Sequence, residues 1–201
     1  MGKQICKIVI TGGPCAGKTS AMEYINKYFG ERGYTVIFVP ETASELILGG
    51  IAPWTCKTVL EYQLCQTKLQ ISKEKIFMEG VRSHKGDKIL MVCDRGLMDN
   101  RAYMSEEEFQ DLLKIMGMTE EDMLSPYEAV FHLETVAKDN AEFYTLDNNG
   151  ARTETVEEAV ALDKRLAEVW SNHPNHFVIH SHDEMESKLK LLAEKIEHHL
   201  K

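Results

Sequence analysis

The chain has 201 residues, of which 43% are hydrophobic and 27% charged, a composition typical of a globular domain that excludes disordered and collagen-like chains. Its formal net charge of −9 repels nucleic acids and anionic membranes, so an anionic ligand needs a local positive site. Five cysteines without a CxxC pair argue against a disulfide framework, and no apolar run reaches the ~20 residues of a membrane span. We expect one cytoplasmic domain over residues 1–201, with no nucleic-acid or membrane partner.

Short apolar runs alternate with stretches of helical periodicity, a pattern typical of β-α units around a parallel sheet. The predicted strands are Ile5–Thr11, Thr35–Pro40, Lys88–Asp94, Ala129–Leu133 and His176–His180. The predicted helices are Gly17–Tyr28, Thr42–Leu48, Thr55–Ser83, Ser105–Met116, Thr155–Ser171 and Glu184–Leu200. Because the strands are almost continuously apolar, helices should cover both faces, which predicts a three-layer α/β/α fold around five parallel strands.

Two segments carry further expectations. The residues predicted to form the buried side of the long helix are Val59, Leu60, Leu64, Leu69, Ile71 and Ile76. The segment at about 135–155 is rich in Asn, Asp and Gly between a strand and a helix, and a loop of that length in a domain is usually functional. We therefore predict that it forms a lid.

The first strand runs into TGGPCAGKTS, which contains the pattern G-x-x-x-x-G-K-[ST] between a strand and a helix. The residues predicted to bind nucleotide phosphates are Gly12, Gly13, Pro14, Cys15, Ala16, Gly17, Lys18, Thr19 and Ser20. In such a loop backbone N–H groups surround the phosphates, Lys18 contacts the β- and γ-phosphates, and the Thr19 hydroxyl is a ligand of Mg²⁺. The sequence therefore predicts a nucleoside triphosphate site with Mg²⁺.

The third strand ends in Asp94, followed directly by Arg95. A carboxylate at this position beside a P-loop is placed to hold Mg²⁺ or its water, so Asp94 is predicted as a metal ligand and Arg95 as a phosphate-binding group. The alternative is a surface salt bridge between Asp94 and either Arg95 or Arg101.

The second strand is followed by Glu41, at the same carboxyl edge of the predicted sheet, where ligands of open α/β sheets bind. Glu41 is a candidate base toward an acceptor hydroxyl. It is equally a candidate first-turn acid that interacts with the dipole of the following helix.

In combination, these motifs resemble the AAA-type ATPase domain shared by ribosylnicotinamide-kinase-like proteins and the translocation-defect GTP-binding proteins, a relative of nucleoside and nucleotide kinases. The residues that carry the resemblance are the P-loop, VPETA, CDRGLMD, Tyr127-Glu128-x-Val130-x-His132-Leu133, Asn149-x-x-Arg152-x-Glu154-Thr155 and Trp170-x-x-His173-Pro174. The resemblance implies a P-loop NTPase fold with strand order 2-3-1-4-5 and an arginine-bearing lid.

The resemblance also implies roles for four residues. Glu41 corresponds to an acid near the acceptor 5′-hydroxyl, Asp94 and Arg95 to an acid-arginine pair, and Arg152 to a lid arginine that offsets charge on the transferred phosphoryl group. Because no Asn-Lys-x-Asp motif is present, ATP is favoured over GTP. We therefore predict that four cationic side chains converge at one edge of the sheet, namely Lys18, Arg95, Arg101 and Arg152.

Two functions remain open at this point. The first is a kinase that transfers the γ-phosphoryl group to a hydroxyl or phosphate of a nucleoside-like small molecule. The alternative is an ATPase or GTPase switch that binds a protein partner, or a second copy of the chain. The crowded histidines His173, His176, His180 and His182 match no zinc spacing and are expected to be structural or surface residues.

Overall fold

Five parallel strands form one sheet in the computed structural model, which describes residues 2–135, 155–180 and 184–200. The strands are β1 (Gln4–Thr11), β2 (Thr35–Val39), β3 (Lys88–Asp94), β4 (Ala129–Leu133) and β5 (His176–Ile179). Their order is β2-β3-β1-β4-β5 and every pairing is parallel, which confirms the predicted topology. The carboxyl ends of β1 and β3 therefore lie side by side.

Helices cover both faces of this sheet. They are α1 (Lys18–Gly30), α2 (Thr42–Leu48), α3 (Val59–Ser83), α4 (Glu106–Met116), α5 (Glu120–Leu124), α6 (Val156–Glu168) and α7 (Met185–His199), with a 3₁₀ helix at Leu97–Tyr103. In β1, Ile8 and Ile10 pack into the core beneath α1 and α7, whereas Val9 packs into the opposite core with Phe109 and Trp170. This alternation confirms the three-layer prediction, since successive side chains of a strand point to opposite faces.

Helix starts show where local capping decides the structure. The expected start of α3 at Thr55 is wrong, because the Thr55 hydroxyl bonds within the preceding turn and Thr58 caps the helix by accepting from the Glu61 N–H at 3.1 Å. Ser105 and Glu108 form the expected capping box at α4. The short α5 and the 3₁₀ helix were not predicted.

The buried side of α3 differs from the apolar side expected from the sequence. Its most deeply buried residues are Tyr62, Gln63, Gln66, Thr67, Gln70, Glu74 and Val81. Ile76, by contrast, is 65% exposed. Leu60, Leu64 and Ile71 are partly buried and pack against the hydrophobic core, so α3 presents both polar and apolar side chains to the rest of the domain. Among the described residues, no helix combines the length and the apolarity that crossing a membrane requires.

Candidate functional site

The glycine-rich loop follows β1 at the carboxyl edge of the sheet. Gly12 has φ +144°, and a Cβ there would lie 2.2 Å from the Leu133 carbonyl oxygen, so this close approach admits only glycine. Gly17, at φ +85°, occupies the N-cap position of α1. Cys15 also has a positive φ of 57°. The loop therefore reverses direction tightly before entering the helix.

The start of α1 offers backbone donors to an anion. The first N–H groups of a helix have no acceptor within it, and no side chain caps α1. The helix dipole adds partial positive charge at this end. Lys18 Nζ lies 3.4 Å from the Gly12 carbonyl oxygen, back across the loop, and Thr19 is exposed. These features fit a phosphate group, although the roles assigned to individual loop residues stay predictions.

Three side chains from distant elements hold the outer side of the loop. Thr135 Oγ1 donates to the Pro14 carbonyl oxygen at 2.6 Å, and the Gly13 N–H donates to Asp163 Oδ1 at 2.7 Å. Lys188 Nζ donates to the Ala16 carbonyl oxygen at 2.9 Å. Sequence reasoning missed all three supporting residues.

Asp163 also joins β4 to the loop. His132 Nε2 lies 3.1 Å from Asp163 Oδ1, and the Thr135 N–H donates to Asp163 Oδ2 at 3.2 Å. Burial opposes ionisation, but these contacts and the Gly13 N–H outweigh it and lower the pKa of Asp163. In the sequence, a polar residue of the amphipathic helix α6 looks the same whether its side chain is buried against the loop or exposed to solvent.

Asp94 ends β3 beside the P-loop. Its Oδ1 is buried and has no hydrogen-bond partner among the described residues. Burial raises the pKa of Asp94, with the nearby Lys18 ammonium opposing the shift and Glu41 reinforcing it. An orphaned carboxylate oxygen next to the lysine of the P-loop motif fits Mg²⁺, which prefers oxygen ligands.

Arg95 pairs with Glu41 rather than with Asp94. Its Nε donates to Glu41 Oε1 at 2.6 Å, while its buried Nη1 has no partner among the described residues. Burial would lower the pKa of Arg95, but Tyr103 and Glu41 outweigh it and hold the pKa above its ordinary value. Arg95 has φ +68°, which is strained for a residue with a side chain.

Glu41 occupies the N-cap position of α2, yet its side chain makes no capping hydrogen bond. Its carboxylate instead accepts from Arg95 and, at 2.5 Å, from Ser44 Oγ. Burial opposes ionisation, but the Arg95 guanidinium, the Ser44 bond and Lys18 together lower the pKa of Glu41 to about 2. Glu41 is therefore ionised at neutral pH and faces Arg95, not the N–H groups of its helix.

The expectation that Arg101 joins the convergent cations is wrong. Its guanidinium lies 2.9 Å from Glu106 and 3.1 Å from Glu120, and it stacks over the Phe109 ring. These contacts hold it beside α4 and α5. The alternative salt bridge between Arg101 and Asp94 is not formed, because among the described residues the carboxylates that pair with Arg101 are those of Glu106 and Glu120.

Asp99 connects the turn after β3 to the P-loop strand, and sequence reasoning assigned it no role. Its Oδ1 accepts hydrogen bonds from Thr11 Oγ1 and Trp170 Nε1, and its Oδ2 accepts one from the Gly96 N–H at 2.6 Å. A Cβ on Gly96 would lie 2.7 Å from the Trp170 ring. Trp170 is thus a core residue that fixes the turn carrying Arg95.

Polar groups of α3 continue this arrangement behind Arg95. Gln70 Nε2 donates to the Arg95 carbonyl oxygen at 3.4 Å, and Gln66 donates to Asn100 at 2.6 Å. The Gln63 Oε1 atom is buried without a partner among the described residues. Burial, reinforced by the charge of Glu41, raises the pKa of the buried Tyr62 to about 12, so a neutral hydroxyl lies near the acid-arginine pair.

Several expectations fall elsewhere. Arg152 and almost all of the predicted lid, together with His182, lie outside the described residues. His173 uses both ring nitrogens in backbone hydrogen bonds, to the Tyr127 carbonyl and from the Asn175 N–H, which agrees with a structural role.

One group of potential metal ligands lies at the opposite edge of the sheet within residues 2–135, 155–180 and 184–200. Cys6, Glu128 and His199 bring one ligand atom each within 4.8 Å of the others. Burial, reinforced by Glu128, raises the pKa of the Cys6 thiol to about 12, which keeps it protonated. This group is at the amino ends of β1 and β4, away from the P-loop.

A family model described as an AAA domain matches residues 7–188, which is most of the chain. The matched span begins in β1 and ends in α7, so it includes the P-loop, Glu41, the Asp94-Arg95 pair and the Lys188 contact. No curated protein matches the sequence.

Proposed function

The chain belongs to this AAA-domain family and is a P-loop nucleotide-binding protein, and we propose that it is a phosphotransferase. It moves the γ-phosphoryl group of ATP, or of GTP, to a hydroxyl or phosphate of a nucleoside-like small molecule. The observation that carries this proposal is the partly buried pair of Glu41 and Arg95, which stands with Asp94 at the sheet edge beside Lys18. An acid and an arginine beside a triphosphate site are groups that can position an acceptor for phosphoryl transfer.

The phosphate side of the site would hold the nucleotide. Backbone N–H groups of the loop and the start of α1 bind phosphate oxygens, and Lys18 contacts the β- and γ-phosphates. Thr19 and the unpartnered Asp94 Oδ1 are the groups that would hold Mg²⁺ or its water. When bound, Mg²⁺ offsets the charge of the phosphates and orients them.

The acceptor side consists of the acid-arginine pair. Glu41 orients the acceptor hydroxyl by accepting its hydrogen bond, since its pKa of about 2 makes it a weak base. Phosphoryl transfer passes through a loose transition state, so positioning contributes more than proton removal. The unpartnered Arg95 Nη1 binds an oxygen of the acceptor or of the transferred group.

Arg152 keeps its proposed role as a lid arginine that offsets charge developing on the transferred group. The Arg152→Ala variant should lower turnover far more than nucleotide affinity. Equal losses in both would make Arg152 a binding residue only.

The decisive experiment incubates the protein with ATP·Mg²⁺ or GTP·Mg²⁺ and a panel of nucleosides, nucleotides and ribosylnicotinamide, and detects products by mass spectrometry and phosphorus NMR. We expect one phosphorylated acceptor, formed by the wild type and by the control Glu45→Gln. Glu45 lies on α2, the helix that Glu41 precedes, and its carboxylate pairs with Lys73 of α3. Glu41→Gln should bind nucleotide but form little product. The absence of any product from a protein that demonstrably binds ATP·Mg²⁺ or GTP·Mg²⁺ would refute the phosphotransferase proposal.

A nucleotide-dependent switch is the second candidate, favoured by an exposed apolar cluster after Glu41. Leu48, the last residue of α2, is 89% exposed, and in the connection to α3 Trp54 is 69% and Ile51 43% exposed. Large exposed apolar patches mark interaction sites, so this cluster suits a protein partner or a second copy of the chain. The switch requires a binding partner, or a dimer, that distinguishes ATP from ADP. Sedimentation of the protein in the presence of ATP and of ADP tests for it, with the Trp54→Ser variant as the comparison.

A further inference from the structure

Lys188 is a buried lysine that contacts the P-loop from the other end of the chain. It lies on α7, is 1% exposed, and places Nζ 2.9 Å from the Ala16 carbonyl oxygen and 2.5 Å from the Glu134 carbonyl oxygen. No step of the proposed phosphoryl transfer uses this ammonium. Burial of an ammonium is costly unless it is paired, so its retention at this point needs a reason.

The geometry of the peptide between Ala16 and Gly17 supplies that reason. All peptide bonds of the described residues are trans, and in a planar trans peptide the C=O and N–H groups point in opposite directions. Because the Ala16 carbonyl points outward to Lys188, the Gly17 N–H points to the inner side of the loop. Thr135 acts in the same way on the preceding outward carbonyl, Pro14 O, and thereby turns the Cys15 N–H inward.

We propose that Lys188 is a positioning residue of the phosphate-binding loop, which orients and polarises the Ala16–Gly17 peptide so that its N–H binds a phosphate oxygen. The proposal rests on the proposed nucleotide binding of this loop. An ammonium on the carbonyl oxygen strengthens the N–H of the same peptide as a donor, since hydrogen bonds in series polarise one another. Lys188 therefore acts on the phosphates through the backbone and without touching them.

The groups around Lys188 keep its side chain charged at neutral pH by only a narrow margin. Two acidic groups from separate elements act on it, Asp163 on α6 and Glu134 after β4, and the loop itself presents a backbone carbonyl. The Asp163 carboxylate also contacts His132, and the Glu134 carboxylate also contacts the exposed His180. Burial outweighs both acids and lowers the pKa of Lys188 to about 8. A bound polyphosphate favours the charged lysine, so nucleotide affinity should fall as the pH rises through this value.

The test measures the dissociation constant of ATP·Mg²⁺ by isothermal titration calorimetry between pH 7 and 9.5. In this range the terminal phosphate is already ionised, since its pKa lies near 6. Lys188→Met keeps the length of the side chain and removes its charge, and Lys190→Met, on the exposed side of α7, is the matched control. At pH 7 we expect Lys188→Met to weaken binding by about tenfold and the control to match the wild type, because the Ala16–Gly17 peptide loses the charged group that orients and polarises it.

The pH profile separates positioning from a merely structural role. Wild-type affinity should fall between pH 7 and 9.5, whereas Lys188→Met should show the same weak affinity throughout. Lys188→Arg, which cannot lose its charge in this range, should retain its affinity at pH 9.5. Circular dichroism melts confirm that each variant is folded. If Lys188→Met fails to fold, the wild-type and Lys188→Arg profiles still decide.

Three outcomes would overturn the proposal. They are a flat wild-type profile, wild-type affinity in a folded Lys188→Met, or the wild-type pH slope retained in that variant. The last result would assign the slope to another group. A wild type that binds neither ATP·Mg²⁺ nor GTP·Mg²⁺ at pH 7 would instead refute nucleotide binding itself, and with it both proposals.

Discussion

The proposed phosphate side and the proposed acceptor side of the site lie at one sheet edge but are built in opposite ways. The proposed phosphate side is a single segment, residues 12–20, whose Gly13 N–H and whose Pro14 and Ala16 carbonyls are held by Asp163, Thr135 and Lys188. The acceptor side is assembled from side chains at the ends of two strands, Glu41 and the Asp94-Arg95 pair. Backbone recognition suits any polyphosphate, whereas side-chain recognition is specific to one acceptor.

Both sides carry local strain. Among the described residues, Cys15 and Arg95 are the non-glycine residues with positive φ, at 57° and 68°. One lies in the P-loop and the other after β3, so each side holds one. Such conformations persist where surrounding contacts enforce them and are concentrated at functional sites. For Arg95 the enforcing contacts are its N–H bond to the Ile10 carbonyl at 3.0 Å and the Glu41 pair.

The largest effect should come from the phosphate side. Lys18→Ala removes the cation proposed to contact the β- and γ-phosphates, and because each hydrogen bond to a charged group contributes roughly 1.5–3 kcal/mol, binding of ATP·Mg²⁺ should weaken by at least about 100-fold. Calorimetry measures the affinity, with the exposed Lys27→Ala of the same helix as the control. The melting temperature should change little, because the Lys18 side chain is only partly buried at the start of α1. Unchanged affinity would refute the assignment of residues 12–20 as a phosphate-binding loop.

On the proposed acceptor side, Glu41→Gln should lower kcat by about 100-fold, the effect that a misplacement of about 1 Å at the reacting groups can have, and leave nucleotide affinity within about twofold. Steady-state kinetics with the acceptor found in the panel measures both. Since the pKa of Glu41 is about 2, its ionisation does not set the acid limb of the pH–rate profile. A loss of nucleotide affinity equal to the loss of kcat would place Glu41 on the phosphate side.

The pairing of Glu41 with Arg95 also affects stability. A carboxylate with a lowered native pKa stabilises the fold above its unfolded pKa of roughly 4.3, and this contribution disappears as the pH falls toward 2. Glu41→Gln should therefore flatten part of the decline in the free energy of unfolding between pH 5 and 3. Denaturant titrations at several pH values measure the change, and Glu45→Gln should leave the decline closer to that of the wild type.

Asp99 connects the two sides, and Asp99→Asn should lower the free energy of unfolding by about 2 kcal/mol, because one buried donor then faces an amide NH₂ instead of an oxygen. Urea titration measures the loss. Asp111→Asn, at an exposed position of α4, should change stability by less than about 0.5 kcal/mol. Equal stability of both variants would show that the bonds from Thr11, Gly96 and Trp170 contribute little.

The smallest effect is expected from a side chain that holds the outer side of the P-loop. Thr135→Val keeps the shape of the side chain but removes the hydroxyl that donates to Pro14, and should weaken ATP·Mg²⁺ binding by about fivefold, the equivalent of one hydrogen bond of ~1 kcal/mol. Thr135→Ser retains the hydroxyl and should bind nearly as the wild type does. If the valine and serine variants bind ATP·Mg²⁺ equally well, the hydrogen bond from the Thr135 hydroxyl to the Pro14 carbonyl does not contribute to nucleotide binding.

The sequence predicted those features that depend on local spacing. The five strands, their order, the P-loop between β1 and α1, and the position of Asp94 at the end of β3 all follow from short runs of residues or from the resemblance they carry. Parallel strands then place Glu41 and Asp94 at one edge without further information. For the same reason the capping box at Ser105 was readable, since both of its members lie within one helical turn.

Tertiary structure alone decided which side chains meet. The Arg101 guanidinium pairs with Glu106 and Glu120, and the most deeply buried positions of α3 are mainly polar residues. Lys188 reaches Ala16 across 172 positions and Asp163 reaches Gly13 across 150. No periodicity encodes such pairs, because a buried lysine and a solvated one on an amphipathic helix occupy equivalent positions in the sequence. The packing of α6 and α7 around the loop is what makes these two residues part of the site.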